Sequence, residues 1–282
     1  MPHLDLIDAA TLGAYLDDPD WIAVDCRFSL MDADAGRRAY AESHLPGARY
    51  ADLDWDLSGP VTPATGRHPL PDPARLARTL GEWGIGAGAR VVAYDDMGGM
   101  LAAARLWWLL RWLGHDAVAV LDGGLTAWRA AGLPLTAASP AVRPAVFEAR
   151  PDDRLWLTTA RAQALPAGHL LVDARAAARY RGDMEPIDPV AGHIPGAVSR
   201  PTEDNLAADG RFLPADALRA GFLAVLDGRS PTAVTHYCGS GVTACHNLLA
   251  MEVAGLSGSR LYAGSWSEWI RDPSRPVATG PG

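Results

Sequence analysis

Residues 24–27, Val-Asp-Cys-Arg, return as Val172-Asp-Ala-Arg175, and this internal repeat limits the possible folds more than any other feature of the chain. His44-Leu-Pro-Gly-Ala48 returns as His193-Ile-Pro-Gly-Ala197. Arg90-Val-Val-Ala-Tyr-Asp95 corresponds to Thr232-Ala-Val-Thr-His-Tyr-Cys238, which sets Tyr94 opposite Tyr237 and Asp95 opposite Cys238. Leu121-Asp-Gly-Gly-Leu-Thr-Ala-Trp128 matches Tyr262-Ala-Gly-Ser-Trp-Ser-Glu-Trp269. The offsets lie between 141 and 149 residues, so order and spacing are nearly kept. One domain written twice is the simplest explanation, and 282 residues suffice for two domains of ordinary size. The expected boundaries are 1–134 and 152–282, joined by a linker over 135–151 that is rich in Ala and Pro and has little periodicity.

Within each copy the pattern alternates. Trp21-Ile-Ala-Val-Asp25, Arg90-Val-Val-Ala-Tyr94 and Ala117-Val-Ala-Val-Leu121 are short apolar runs flanked by turn residues, as buried parallel strands are. Residues 73–80 and 101–110 read as helices, with Trp107, Trp108 and Trp112 at helical spacing in the core. The alternation predicts α/β domains in tandem, each a mainly parallel sheet with helices on both faces. Sites in such sheets form at the carboxyl ends of strands, the place expected for both Asp95 and Cys238.

Composition narrows the function. Hydrophobic residues make up 49% and charged residues 21%, as in globular proteins. No apolar run approaches the ~20 residues that span a bilayer, so no membrane partner is expected. Met1-Pro-His-Leu-Asp-Leu6 lacks the basic start and apolar core of a signal peptide, which makes the cytoplasm the expected compartment. A net charge of −8 argues against nucleic acid as a partner. Cys26, Cys238 and Cys245 are odd in number and have no metal-ligand or disulfide spacing, as expected of reduced thiols. No metal or organic cofactor is implied, and Cys245 reads as structural.

Cys238 stands apart from the other two. It follows a β-branched run beginning at Ala233, precedes two glycines in three residues, and is followed by a helix-compatible segment reaching about Glu252. Gly239 and Gly241 let successive N–H groups turn inward, and the helix start adds unpaired donors and a positive dipole end. Such a nest favours an anion. A cysteine placed there is expected to ionise more readily than a free thiol and to act as a nucleophile.

Two families use a cysteine in a loop of this shape. Phosphatases need an arginine six residues after the nucleophile to hold a phosphate dianion, and here that position is Ala244. Cys238-Gly-Ser-Gly-Val-Thr243 instead resembles the active-site loop of the mercaptopyruvate sulfurtransferases, a branch of the rhodanese superfamily. The resemblance runs from about Leu12 to Pro273.

That resemblance implies a ping-pong enzyme in which Cys238 takes a sulfur atom from a small-molecule donor as a persulfide. The persulfide then passes sulfur to cyanide, a small thiol or a thioredoxin-like acceptor. The N–H groups of Gly239, Ser240, Gly241, Val242 and Thr243 would stabilise the persulfide. The uncharged loop favours 3-mercaptopyruvate over thiosulfate, the alternative donor. A non-catalytic persulfide carrier or binding module is a third reading, opposed by the retention of Cys238 and Ser240. Arg179, opening Arg179-Tyr-Arg-Gly182, matches a donor-binding arginine of the family, with Arg181 beside it. A second family arginine normally follows a Glu-Pro pair, but Glu185-Pro186 is followed by Ile187. Ser240, His68 and Asp54 match a proton relay, with Asp52 and Asp56 as sequence alternatives to Asp54; Arg67, next to His68, is a further cation that can face the site. The first copy, with Asp95 in place of the sulfur, is expected to be catalytically silent and to wall the site. His44 and His193 occur in both copies and so read as fixing a turn.

Overall fold

The apolar runs of the first copy become five parallel strands. In the computed structural model, which describes residues 5–281, β1 (Leu6–Ile7), α1 (Ala9–Tyr15), β2 (Trp21–Asp25), α2 (Ala35–Glu42), β3 (Arg49–Tyr50), α3 (Pro73–Glu82), β4 (Arg90–Tyr94), α4 (Ala102–Trp112), β5 (Val118–Leu121) and α5 (Gly124–Ala130) alternate. The strands lie in the order β1-β5-β4-β2-β3, every pair parallel. Local signals set the helix starts. Asp8 caps α1 by accepting from Thr11 N–H at 2.8 Å, and Asp72 caps α3 through Arg75 N–H with Pro73 in the first turn. Trp107, Trp108 and Trp112 are buried in α4, a helix with ten buried residues among its eleven, as its apolar sequence requires.

The second copy repeats this plan as β6 (Trp156–Leu157), α6 (Thr159–Gln163), β7 (Leu170–Asp173), α7 (Ala177–Arg181), β8 (Val198–Ser199), α8 (Ala215–Leu226), β9 (Val234–Tyr237), α9 (Ala244–Val253), β10 (Arg260–Tyr262) and α10 (Ser265–Trp269). Its sheet order, β6-β10-β9-β7-β8, is the first order with corresponding strands substituted, again all parallel. Leu218, Phe222 and Leu226 give α8 one buried stripe, whereas α9, the counterpart of α4, is buried over most of its circumference. The chain divides into two compact units. One comprises Met1–Gly59, Leu70–Asp152 and Ala207–Phe212; the other Pro60–Pro69, Asp153–Leu206 and Leu213–Gly282. Residues 135–152 run along the first unit, with Thr136 bridged to His44 and the N–H groups of Ala145 and Asp152 donating to Gly81 and Trp112 carbonyls at 2.9 Å.

Each repeated motif forms the same set of hydrogen bonds twice. Asp25 and Asp173, fully buried, pair with Arg27 and Arg175 at 2.7 and 2.6 Å. Tyr94 and Tyr237 each present a hydroxyl to the N–H after a histidine, Leu45 and Ile194, at 3.2 Å. His44 and His193 bond the carbonyls of Tyr40 and Tyr180 at 2.7 and 2.8 Å and stack on those rings, so they hold the Pro-Gly turn in both units. Trp128 and Trp269 each donate to a proline carbonyl at 2.9 Å. Buried charges and donors satisfied this completely specify one register.

The same register puts Asp95 directly after β4 and Cys238 directly after β9, since Asp25 pairs with Tyr94 as Asp173 pairs with Tyr237. Asp95 is wholly buried and accepts from four backbone N–H groups: Met97 at 2.9, Gly99 at 2.8, Leu101 at 3.1 and Ala103 at 3.4 Å. Burial still pushes its carboxyl up to about 6, with Asp96 adding to the rise and the N–H donors opposing it. The folded chain therefore keeps this proton to a higher pH than the unfolded chain. The stabilising contribution of the protonated acid is complete below pH ~4 and is lost as pH rises to about 6, an effect of about 3 kcal/mol. Urea unfolding of the wild type and Asp95→Asn across this range is expected to show the falling component in the wild type alone; parallel pH profiles would refute it.

Candidate active site

Cys238 is held at the mouth of β9 from two sides. Its N–H donates to Ser265 Oγ at 3.1 Å, and its carbonyl accepts from Trp266 N–H at 3.0 Å, so the loop is pinned to the start of α10. Ser265 adopts a left-handed conformation with φ of 53°, steadied by its own hydroxyl donating to the Tyr262 carbonyl at 3.0 Å. The first copy has Gly124 at this place, also left-handed. Beyond the cysteine, residues 239–243 loop back and α9 begins at Ala244, so the strand extends two residues further than its apolar run and ends against Cys238. Gly241, at φ of 78°, turns its N–H onto Cys238 Sγ at 3.2 Å. The Cys238 sulfur, 1% exposed, thus sits where a backbone donor can hold negative charge.

The segment Pro60–Pro69 belongs to the same unit as this loop. Arg67 N–H donates to Ser267 Oγ at 3.1 Å, Gly66 N–H to Glu268 Oε2 at 3.4 Å, and Arg271 Nε to the Thr65 carbonyl at 3.1 Å. Three residues of one short stretch therefore grip the segment, and Gly66 has no room for a Cβ against Gly264 and Ser267. The result is a hydrogen bond of 2.7 Å between His68 Nδ1 and Ser240 Oγ, both buried. Two of the residues expected from sequence to form a relay are brought together across 172 positions of chain. Asp54 belongs to the first unit, where it is exposed in the turn after Asp52 and donates its N–H to Asp52 Oδ1 at 3.0 Å.

Two guanidinium groups stand over Gly239. A Cβ built on that glycine would lie 2.8 Å from Arg67 Nη2 and 3.7 Å from Arg179 Nη1 and Nη2. Asp188 bridges them: Arg67 Nη1 bonds Oδ1, and Arg179 Nη2 donates to Oδ2 at 3.0 Å. Glu185 accepts from Arg179 Nε at 3.1 Å and Nη2 at 2.8 Å, and from Arg175 Nη1 at 3.3 Å. Burial opposes ionisation of Glu185, yet the Arg179 bonds and the N–H groups of Asp188 and Ile187 outweigh it and hold the carboxyl below its ordinary value. Arg175, committed to Asp173 and stacked 4.8 Å from the Trp266 ring, closes the cluster on the sheet side. Of the two arginines expected to bind the donor, Arg179 lies over the loop. Arg181 is 42% exposed and pairs with Asp183 at 2.7 Å.

Cys26 and Cys245 are buried thiols outside this arrangement. Burial, with Asp25 and Asp95 nearby, pushes the Cys26 thiol well up, and Cys245 donates to the Gly241 carbonyl at 3.4 Å, bracing the loop from within α9. Ser265, Glu185 and Asp188 also touch the site. Ser265 had one visible signal, replacing the second glycine of Asp122-Gly-Gly124; Glu185 was visible only as part of the Glu185-Pro186 pair, and Asp188 had no signal beyond proximity to Arg179. No helix among the described residues is long and apolar enough to cross a membrane.

Two glycines test the loop geometry. Gly241 and Gly228 share a φ of 78°, but a Cβ on Gly241 would lie 2.4 Å from the Ala263 carbonyl oxygen whereas Gly228 has open space. Gly228→Ala is expected to cost about 1 kcal/mol of stability from backbone strain alone. Gly241→Ala adds a collision that must displace the loop, for about 3 kcal/mol in all and loss of the sulfur's N–H contact. Equal thermal shifts for the two variants would contradict this geometry.

Comparison with known proteins follows the same lines. The family model for the rhodanese-like domain matches twice, over residues 8–131 and 157–272. A Pseudomonas aeruginosa protein named as a probable 3-mercaptopyruvate sulfurtransferase is 55% identical over 284 residues, covering 99% of this chain and 100% of its own. A Mycobacterium tuberculosis protein named for thiosulfate sulfurtransfer is 42% identical over 281 residues, covering 98% and 97%. Among solved structures, the 3-mercaptopyruvate sulfurtransferase from Leishmania major superposes with a TM-score of 0.86 at 32% identity, over 97% of this chain and 76% of that one. Two matching domains, the doubled parallel sheet and the cysteine at the end of β9 agree: this chain belongs to the rhodanese family of sulfurtransferases, with two rhodanese-like domains in tandem.

Proposed function

We propose that this enzyme moves a sulfur atom from 3-mercaptopyruvate to a thiophilic acceptor through a persulfide on Cys238. The observation that carries the reading is the combination of Cys238 in a loop free of cationic side chains with the His68–Ser240 hydrogen bond beside it. In the first half-reaction the Cys238 thiolate attacks the donor's thiol sulfur. The S–S bond forms, the donor's C–S bond breaks, and its electron pair leaves on carbon as the pyruvate enolate. Sulfur is oxidised and carbon reduced, with no external redox partner. The proton that the donor thiol carried passes through Ser240 and His68 to the enolate carbon, giving pyruvate and Cys–S–S⁻. The charge that this step leaves is on the outer sulfur, and the Gly241 N–H, already on the Cys238 Sγ, stabilises it through the S–S bond. In the second half-reaction a nucleophile such as cyanide, a small thiol or a reduced thioredoxin-like protein takes the outer sulfur and restores the thiolate.

Charge favours this donor over thiosulfate. The guanidinium groups over Gly239 are matched by two carboxylates, Glu185 and Asp188, so the site suits a monoanion better than a dianion. Three cysteines without a disulfide among the described residues support a reducing compartment, and we assign the cytoplasm.

The test is steady-state kinetics with 3-mercaptopyruvate and thiosulfate side by side, cyanide being the common acceptor. The expected preference for 3-mercaptopyruvate in kcat/KM is tenfold or more, about 1.4 kcal/mol of discrimination. Thiosulfate preference would reverse the donor assignment. Cys238→Ser is expected to abolish turnover and the persulfide, which mass spectrometry detects as one added sulfur atom. Ser240→Ala and His68→Asn are expected to lower kcat by about 100-fold; unchanged kcat in both would remove the relay from the mechanism.

A further inference from the structure

We infer that Arg67, reaching in from the segment Pro60–Pro69, is the second donor-binding cation, and that with Arg179 it forms a paired guanidinium seat for the donor's carboxylate, clamped in place by Asp188. This rests on the donor reading above and gives a role to Arg67, which the sequence marked only as a further cation next to His68.

Arg179 spends Nε and Nη2 on Glu185 and Asp188, and Arg67 spends Nη1 on Asp188. Arg67 Nη2 and Arg179 Nη1 make no hydrogen bond among the described residues, and both face the same spot above Gly239, next to the nucleophile. Arg67 Nε is buried with no hydrogen-bond partner among the described residues, which leaves a donor aimed by its neighbours rather than satisfied by them. Two like charges do not come together unaided. Asp188, its side chain only 2% exposed, takes one guanidinium on each oxygen and so fixes their separation while cancelling one of their charges. Glu185 cancels the other. What remains is a fork of two open N–H edges, Arg67 Nη2 and Arg179 Nη1, the geometric complement of a single carboxylate. Gly239 leaves the space beneath it open, since a Cβ there would meet Arg67 Nη2 and push the fork aside.

The experiment compares 3-mercaptopyruvate with mercaptoacetone, the same α-mercapto ketone with methyl in place of carboxylate, for the wild type and Arg67→Ala. The expected result is a fall of about 10- to 100-fold in kcat/KM for 3-mercaptopyruvate, carried mainly by KM, with mercaptoacetone changed by less than about threefold. The carboxylate's advantage then collapses. An unchanged ratio of the two donors, or a parallel fall in both, overturns the assignment and leaves Arg67 a structural residue. Arg67→Lys keeps a point charge without the fork; it is expected to retain part of the ratio and gives the same test should Arg67→Ala not fold. Absence of 3-mercaptopyruvate turnover in the wild type overturns the donor reading and this assignment with it, whereas wild-type turnover with an unchanged ratio in the variants overturns this assignment alone.

Discussion

A turn that aims backbone N–H groups back at the end of a strand must have something negative or electron-rich there, and both halves of this protein meet that requirement, one with four N–H groups and the other with one. In the first, Asp95 supplies a carboxylate that accepts from four N–H groups and is entirely buried. In the second, the same strand end carries Cys238, whose sulfur takes the Gly241 N–H. One substitution at an equivalent position separates a turn closed on a carboxylate from one that holds a thiol. A carboxylate fills its nest permanently because two oxygens absorb the donors, whereas a thiol leaves capacity for the extra charge of a persulfide.

Several contacts of the second unit converge on the loop that carries that sulfur. Ser265 accepts a strained backbone to bond the cysteine's N–H, and Ser267 and Glu268, on the same helix, hold the segment that carries Arg67 and His68. α10 thus anchors both Cys238 and the segment that brings His68 to Ser240. The cluster of Arg67, Arg175 and Arg179 with Asp173, Glu185 and Asp188 balances its own charge, which allows three guanidinium groups to stand close together with little exposure. Ile187, where the resemblance leads one to expect an arginine, lies in the turn whose N–H groups bond Glu185. The cation that faces Gly239 with Arg179 comes from a different part of the chain.

Much of this was legible in the residues. The doubled motifs were informative because each is a buried hydrogen-bonding set: Asp-x-Arg is an ion pair two residues apart, and His-x-Pro-Gly is a turn tied to a tyrosine. Such sets tolerate little change, so the repeat survives in the sequence where ordinary surface positions do not show it. The Cys-Gly-Ser-Gly loop was legible for the same reason, since the turn needs a glycine at Gly241. Arg181 and Arg179 look alike in sequence, two residues apart on one short helix. Their opposite fates, one paired with Asp183 at the surface and one over the active loop, depend on which face of α7 meets Glu185.

Local chemistry in the sequence therefore determined the fold class, the duplication and the cysteine loop at the end of β9, because strands and tight turns are made from residues close together in the chain. Tertiary structure alone decided which partners gather around that loop. His68 meets Ser240 across 172 residues, and Arg67 shares Asp188 with Arg179 across 121. Contacts at that range follow from where the segment Pro60–Pro69 packs, a consequence of side-chain bonds to Ser267 and Glu268 and of a glycine with no room for a Cβ. No periodicity or spacing in the sequence records such packing.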